Sequence, residues 1–134
     1  MTLQERLATV RLLCCDFDGV FTDNHVYTFP DGSEAVRPSH ADGIGIERLK
    51  KLGVPTTVIT SEPPYIDGHK SIAAVRCAKL GVPIYHAHDR SKLEALRGFA
   101  IMPFDLIAYV GNDLNDLECL QVVGVPLIVA DAER

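Results

Sequence analysis

Residues 11–23 read Arg-Leu-Leu-Cys-Cys-Asp-Phe-Asp-Gly-Val-Phe-Thr-Asp, an apolar run that ends abruptly in the two carboxylates of Asp16 and Asp18. The apolar run predicts a buried strand, on which side chains at i and i+2 point to the same side. An unpaired carboxylate is costly to bury, whereas α/β sheets bind their ligands at the carboxyl ends of the strands. The stretch therefore predicts a parallel α/β sheet whose first strand leads into a nucleophile and a proton shuttle beside a divalent cation.

The phrase Gly-Val-Pro occurs three times, at 53–55, 81–83 and 124–126, each time after a helical pattern and before an extended apolar run. We interpret each phrase as a helix-to-strand joint, in which Gly takes the left-handed cap conformation and Pro precedes the next strand. This alternation predicts a doubly wound, mostly parallel, Rossmann-like α/β sheet. Strands are expected at about 11–16, 55–60, 83–86, 106–110 and 126–129, with helices before the three joints and a further helix over 89–98.

Residues 25–37 break the alternation, because two short strand-like runs flank Pro30-Asp31-Gly32, which is strong turn chemistry. We predict a β-hairpin flap that projects from the loop after the first strand. The remaining sequence contains neither a linker nor a second unit, so residues 1–134 are expected to form a single domain with this flap and without a cap domain.

Composition narrows the choice of partners. A net charge of −5 disfavours a nucleic-acid or anionic-membrane partner. No apolar run approaches the length of a membrane-spanning helix, and residues 1–10 lack a signal-peptide pattern. The four cysteines and five histidines are not spaced as metal ligands, which disfavours a zinc site. A cytoplasmic location is the simplest expectation.

Polar residues stand at the ends of other predicted elements. Thr60 closes one strand with Ser61 behind it, Lys92 lies near the start of a helix, and Gly-Asn-Asp-Leu-Asn-Asp at 111–116 follows another strand. A hydroxyl and an ammonium can hold phosphoryl oxygens, and the Asn/Asp segment offers oxygen ligands suited to Mg²⁺. Lys92 alone would be read as a surface charge and 111–116 as a helix cap. Their order at successive strand ends favours a phosphoryl-transfer site.

Residues 16–23 resemble the first motif of the haloacid dehalogenase (HAD) superfamily. Thr60, Lys92 and residues 111–116 fall where its second, third and fourth motifs belong. The resemblance implies that Asp16 attacks phosphorus to form an aspartyl-phosphate, and that Asp18 first protonates the leaving hydroxyl and then activates water.

The same resemblance implies how the other site residues are used. Thr60, Ser61 and Lys92 would hold the phosphoryl oxygens. Mg²⁺ would be bound by Asp16, by Asp18 through its backbone carbonyl, and by a residue of the fourth motif, either Asn112 or Asp113.

Within the superfamily the chain looks most like the capless phosphatases that act on 3-deoxy-manno-octulosonate (KDO) 8-phosphate. It looks equally like the HAD domain of acylneuraminate (CMP-sialic acid) cytidylyltransferases. Segments 27–37, 41–45 and 110–116 carry this closer resemblance, which extends over about residues 10–132. It implies a phosphorylated KDO- or nonulosonate-type sugar as the substrate and a homotetramer that assembles through the flap. Candidates for contacting the sugar carboxylate are Arg37, His40, Arg76 and Arg90.

Three features depart from the phosphatase pattern. Asn112 stands where the phosphatases usually have Asp, and an amide oxygen brings no charge to the metal. Ser61-Glu62 stands where a Gly-Arg pair is usual, which removes a cation and adds an anion. The chain stops at Arg134, where those relatives continue into a tail that contains glycine and arginine.

Two hypotheses therefore remain. The intact pair of Asp16 and Asp18 favours a Mg²⁺-dependent phosphatase of a small phosphomonoester. Asn112 and the missing glycine- and arginine-containing tail favour a non-catalytic oligomerisation module, related to the domain that is fused to the cytidylyltransferases.

Overall fold

The computed structural model describes residues 1–133, in which five parallel strands form the central sheet. Two 3₁₀ helices, Phe104–Leu106 and Leu114–Asp116, supplement the regular elements. These elements are, in chain order, α1 (Leu3–Ala8), β1 (Leu12–Cys15), β2 (Tyr27–Thr28), β3 (Glu34–Ala35), α2 (His40–Lys51), β4 (Thr56–Thr60), β5 (Tyr65–Ile66), β6 (His69–Lys70), α3 (Ile72–Leu80), β7 (Ile84–His86), α4 (Lys92–Phe99), β8 (Ile107–Gly111), α5 (Leu117–Val122) and β9 (Val125–Ile128).

The alternation of side chains along β1 explains why helices cover both faces of the sheet. Leu12 and Cys14 lie in a core cluster with buried residues of α4 and α5. Cys15 lies on the other face, in a cluster with Ala73 and Cys77 of α3. Because successive residues of a strand point to opposite faces, the apolar run is buried on both sides. The predicted doubly wound α/β sheet is confirmed.

The order of the strands, β7-β4-β1-β8-β9, places the switch in winding direction at β1. From β1 the chain continues through β4 to β7 on one side, and it then returns to the other side of β1 with β8 and β9. The segments that follow β1 and β8 therefore lead to opposite faces and leave a crevice at the carboxyl edge of the sheet.

The left-handed glycine is confirmed at two of the three predicted joints. Gly53 and Gly81 have φ angles of 82° and 69°. The prediction is wrong for Gly124, whose φ is not positive. A Cβ added at Gly124 would overlap the backbone carbonyl of Asp105, so this glycine serves a close approach of two backbone segments. Pro126 lies inside β9, which is an edge strand and tolerates a missing N–H.

The hairpin flap is confirmed, although its ladder is shorter than 25–37. It joins β2 to β3, and the Gly32 N–H donates to the Phe29 carbonyl at 2.9 Å in the turn. A second hairpin, β5 with β6, turns at Asp67-Gly68 and was not predicted. None of the helices within residues 1–133 is long and apolar enough to cross a bilayer.

The helix expected over 89–98 begins later, at Lys92, because the Ser91 hydroxyl caps it by accepting from the Glu94 N–H at 3.1 Å. The short α1 was not predicted. Its first turn is closed by a capping box between Thr2 and Glu5.

Candidate active site

A cavity of about 140 Å³ opens where β1, β4 and β8 end. Six of the seven predicted site residues line it, namely Asp16, Asp18, Thr60, Ser61, Asn112 and Asp113. The seventh, Lys92, is in contact with Asp16 from the buried side. The structure thus brings together residues that are up to 97 positions apart in the sequence.

Lys92 is buried between two carboxylates. The residue is only 3% exposed, and its Nζ lies 2.8 Å from Asp16 Oδ1 and 2.9 Å from Asp116 Oδ1. A buried ammonium is tolerated only where carboxylates and hydrogen bonds replace its hydration. The interpretation of Lys92 as a surface charge is therefore excluded, and its ammonium contacts the Asp16 carboxylate directly.

Asp116 is the fully buried anchor of this group, with 0% of its surface exposed. Its Oδ1 accepts from Lys92 and from the Tyr109 hydroxyl at 2.6 Å. Its Oδ2 accepts from the N–H groups of Asn112 at 3.0 Å and of Asp113 at 3.2 Å. Burial raises the pKa of Asp116, but these cationic and hydrogen-bond partners outweigh burial and hold the pKa below its ordinary value. Asp116 therefore stays ionised and fixes the turn after β8.

The pKa of Asp16 is shifted in the opposite direction from that of Asp116. Burial raises its pKa to about 6, against the lowering effect of Lys92. Its Oδ1 accepts from the Phe17 N–H at 2.7 Å and contacts Lys92, and the described residues give Oδ2 no hydrogen-bond partner. Burial also raises the pKa of Asp18, while Lys92 lowers it. The protein alone thus supplies less positive charge than the two carboxylates need, as expected where a bound cation completes the site.

The donor set fits Mg²⁺ better than zinc. In the described residues no three His, Cys, Asp or Glu side chains are grouped to hold a metal. Two carboxylates and an amide suit Mg²⁺, which takes few protein ligands and keeps several waters.

Asn112 and Asp113 differ as metal ligands. Asn112 is 7% exposed, and its Oδ1 is a buried acceptor without a hydrogen-bond partner among residues 1–133. Asp113 is exposed, and its Oδ1 already accepts from the Leu114 N–H at 2.6 Å as a helix cap. The unused acceptor of Asn112 is the better match for a cation.

The loop after β4 is held by its own hydrogen bonds. Thr60 Oγ1 accepts from the Glu62 N–H at 3.1 Å, which leaves its hydroxyl proton available as a donor. Ser61 Oγ accepts from Asn115 Nδ2 at 2.9 Å, so this loop is tied to the segment after β8. His86 Nδ1 lies 2.9 Å from the Glu62 carbonyl oxygen.

Five further residues belong to the site and were not among the predicted site residues. Asn24 and Glu62 line the cavity, Asn115 holds Ser61, and Asp116, held by Tyr109, binds Lys92. A usable signal existed for Tyr109, because a buried tyrosine in an apolar strand requires a partner for its hydroxyl. The four candidates for a sugar carboxylate, Arg37, His40, Arg76 and Arg90, do not line this cavity.

Comparisons with known proteins agree with this geometry. The chain matches no protein-family model. It is 34% identical over 128 residues to 3-deoxy-D-manno-octulosonate 8-phosphate phosphatase of Escherichia coli K12, which covers 92% of this chain and 64% of the enzyme. It is 32% identical over 132 residues to N-acylneuraminate cytidylyltransferase A of Danio rerio, which covers 96% of this chain and 30% of that protein. The chain thus spans less than two thirds of the length of these relatives.

Solved structures of 3-deoxy-D-manno-octulosonate 8-phosphate phosphatases are also similar to this chain. The 3-deoxy-D-manno-octulosonate 8-phosphate phosphatase of Yersinia pestis superposes with a TM-score of 0.85 at 30% identity, over 96% of this chain and 68% of that one. The enzyme of the same name from Moraxella catarrhalis superposes with a TM-score of 0.84 at 25% identity, over 99% and 76%. That structure contains a magnesium ion, a phosphate ion and KDO. The chain belongs to the HAD family of hydrolases.

Proposed function

We propose that this chain is a Mg²⁺-dependent phosphatase that hydrolyses a small phosphomonoester through an aspartyl-phosphate on Asp16. The observation that carries the proposal is the position of Lys92 Nζ, 2.8 Å from Asp16 Oδ1 in a cleft that also contains Thr60 and Asn112. A protein without a catalytic function has no structural use for a buried lysine between two buried carboxylates. A phosphatase uses it to offset the repulsion between its nucleophile and an anionic substrate.

The first step is the attack of an Asp16 carboxylate oxygen on phosphorus. The ester P–O bond breaks, and the leaving oxygen takes a proton from Asp18. The raised pKa of Asp18, caused by burial, supports a role as proton donor. The hydroxyl of Thr60, the Ser61 hydroxyl and the Lys92 ammonium would hold the phosphoryl oxygens during the transfer.

The second step is hydrolysis of the acyl-phosphate. Asp18, now a carboxylate, takes a proton from a water molecule, the water oxygen attacks phosphorus, and Asp16 is regenerated as inorganic phosphate leaves. Bound Mg²⁺ would neutralise charge on the phosphoryl group. Its ligands would be the Asp16 carboxylate, Asp18 through its backbone carbonyl, and Asn112, with Asp113 as the alternative.

The relatives suggest the class of substrate and the assembly. We propose an acidic eight- or nine-carbon sugar phosphate of the KDO or nonulosonate type as the substrate. We also propose a homotetramer that assembles through the flap, on which Val26, Tyr27 and Phe29 are about half exposed. The four cysteines are free and buried, in keeping with a cytoplasmic protein.

The test is release of inorganic phosphate from p-nitrophenyl phosphate and from a panel of sugar phosphates, with Mg²⁺ and with EDTA. We expect Mg²⁺-dependent turnover that Asp16→Asn abolishes, whereas the exposed control Asp89→Asn retains it. No turnover of any substrate at saturating Mg²⁺ would reject the proposal.

A second candidate function is favoured by Asn112 and by the similarity to the cytidylyltransferase, in which the matched region makes up 30% of the length. In that case the chain is an assembly module. Analytical ultracentrifugation of the wild type and of Tyr27→Ser tests the flap interface. A stable tetramer without any phosphatase activity would favour the module over the enzyme.

A further inference from the structure

A hydrogen bond between two side chains spans the crevice at the carboxyl edge of the sheet. Asn115 Nδ2 donates to Ser61 Oγ at 2.9 Å, and both residues line the catalytic cavity together with Asp16. Ser61 directly follows β4, whereas Asn115 lies in the turn after β8. Because β4 and β8 pair with opposite edges of β1, the bond joins the two loops that flank the nucleophile.

Asn115 is the fixed member of this pair. It lies in the 3₁₀ helix Leu114–Asp116, which is closed by a capping box between Asp113 and Asp116. The Asp116 side chain is fully buried and accepts from two N–H groups of this turn. Ser61 is exposed, and its side chain makes no other hydrogen bond within the described part of the chain. Asn115 therefore fixes the Ser61 side chain, and not the reverse.

The direction of this hydrogen bond decides what the Ser61 hydroxyl can do. A hydroxyl has one proton and two acceptor lone pairs. Since Oγ accepts from the Asn115 amide, its proton points away from Nδ2 and is free to donate. The oxygens of a phosphoryl group are acceptors, so this orientation is the one that a phosphoryl-binding hydroxyl needs. An acceptor in place of the amide would take the hydroxyl proton for itself.

The charge of the cavity also favours a neutral donor at this point. The carboxylates that already line the cavity are those of Asp16, Asp18, Glu62 and Asp113. A further carboxylate would repel the anionic phosphoryl group. The amide of Asn115 orients the hydroxyl without adding charge.

We propose that Asn115 is a positioning residue, which holds the Ser61 hydroxyl as a hydrogen-bond donor to the phosphoryl group of the substrate. This inference rests on the proposed phosphatase function. It applies to any phosphomonoester, because the contact is made to the phosphoryl group and not to the leaving group. Asn115 acts through Ser61, so its contribution disappears when the Ser61 hydroxyl is removed.

The experiment is a double-mutant cycle of Asn115→Ala and Ser61→Ala. Gln121→Ala is the control, because it removes an exposed amide from α5. The value of kcat/KM for p-nitrophenyl phosphate and the inhibition constant of inorganic phosphate are measured at saturating Mg²⁺, and both report on phosphoryl binding. Urea unfolding of each variant reports any purely structural effect.

We expect Ser61→Ala to lower kcat/KM by about tenfold and Asn115→Ala by about fivefold, both with weaker inhibition by phosphate. Asn115→Ala should have no further effect in the Ser61→Ala background, and the urea midpoints should not change. Additive effects of the two changes on kcat/KM overturn the inference. So does a loss of activity in Asn115→Ala that is accompanied by an equal loss of stability.

Asn115→Asp reverses the hydrogen bond, because a carboxylate only accepts and therefore takes the Ser61 proton. This change should lower kcat/KM by about thirtyfold alone, but only by about threefold in the Ser61→Ala background, where its charge is the remaining effect. Equal losses in the two backgrounds overturn the inference and leave the phosphatase proposal standing. Absence of turnover by the wild type overturns both.

Discussion

The backbone of Gly19 and the side-chain amide of Asn112 meet so closely that a Cβ added at Gly19 would overlap Asn112 Nδ2. Gly19 lies in the loop after β1, three residues beyond Asp16, and Asn112 directly follows β8, so this close approach joins the two loops across the crevice. Gly19 also has a φ of 83°, which disfavours a side chain. The position of the candidate metal ligand therefore depends on the absence of a side chain in the opposite loop.

Gly19→Ala should displace the Asn112 amide and strain its own backbone. We expect Mg²⁺ affinity to fall by about tenfold or more, as when residues that orient metal ligands are changed, and stability to fall by about 1–3 kcal/mol. Isothermal titration calorimetry and urea unfolding measure the two effects. Gly45→Ala is the matched control, because nothing lies within 4 Å of its added Cβ and it sits in α2. Unchanged Mg²⁺ affinity in Gly19→Ala would contradict the assignment of Asn112 as a ligand.

Asn112→Asp should tighten Mg²⁺ binding by about tenfold, because a carboxylate adds charge to an acceptor that already has no hydrogen bond to lose. Asn115→Asp adds the same charge to the same cavity from an exposed position and serves as the control. If Asn112→Asp and Asn115→Asp bind Mg²⁺ equally tightly, the added negative charge alone explains the tighter binding, and the result does not support Asn112 as a ligand. If Asp113→Asn is the change that weakens binding, Asp113 is the ligand.

The parts of the site that follow buried strands could be predicted from sequence. Asp16, Asp18 and Thr60 come at the ends of apolar runs, and a parallel sheet brings such ends to one edge. Lys92 could be placed at a helix start, but its burial could not be predicted because it depends on Asp116, 24 positions away.

Other features are tertiary and leave little trace in the sequence. A buried tyrosine in an apolar strand indicates that the Tyr109 hydroxyl needs a partner, but the sequence does not identify Asp116 as that partner. The close backbone approach at Gly124 arises only when the strands assemble, so its Gly-Val-Pro phrase is indistinguishable from the two that form left-handed caps. The second hairpin did carry a turn signal in Asp67-Gly68, but its strands are only two residues long.

Lys92→Met should be strongly destabilising, because it leaves the buried carboxylates of Asp16 and Asp116 without the cation that both contact. We expect a loss of about 3–5 kcal/mol in urea unfolding and no measurable phosphatase activity. Lys79→Met, an exposed change on α3, should have little effect. Adding Asp116→Asn to Lys92→Met should recover part of the lost stability, because it removes one of the unpaired charges. Strictly additive effects of the two changes would contradict a direct interaction between these side chains.

Asp16→Asn should stabilise the protein when Mg²⁺ is removed with EDTA. A folded-state pKa raised from 3.8 to about 6 means that the folded protein holds its proton at Asp16 more tightly than the unfolded chain does. The stability of the wild type should therefore fall as pH rises from about 4 to about 6, whereas Asp16→Asn lacks this contribution.

Above pH 6 the difference between Asp16→Asn and the wild type should reach about 1–3 kcal/mol in favour of the variant, and it should vanish below about pH 4. Urea unfolding across this pH range measures it, with the exposed Asp89→Asn as the control. Saturating Mg²⁺ should stabilise the wild type more than Asp16→Asn, because the ion pairs with the carboxylate that burial disfavours. A variant that is less stable than the wild type in EDTA at pH 7.5 would contradict this account of Asp16, since it would mean that the ionised carboxylate is satisfied by Lys92 alone.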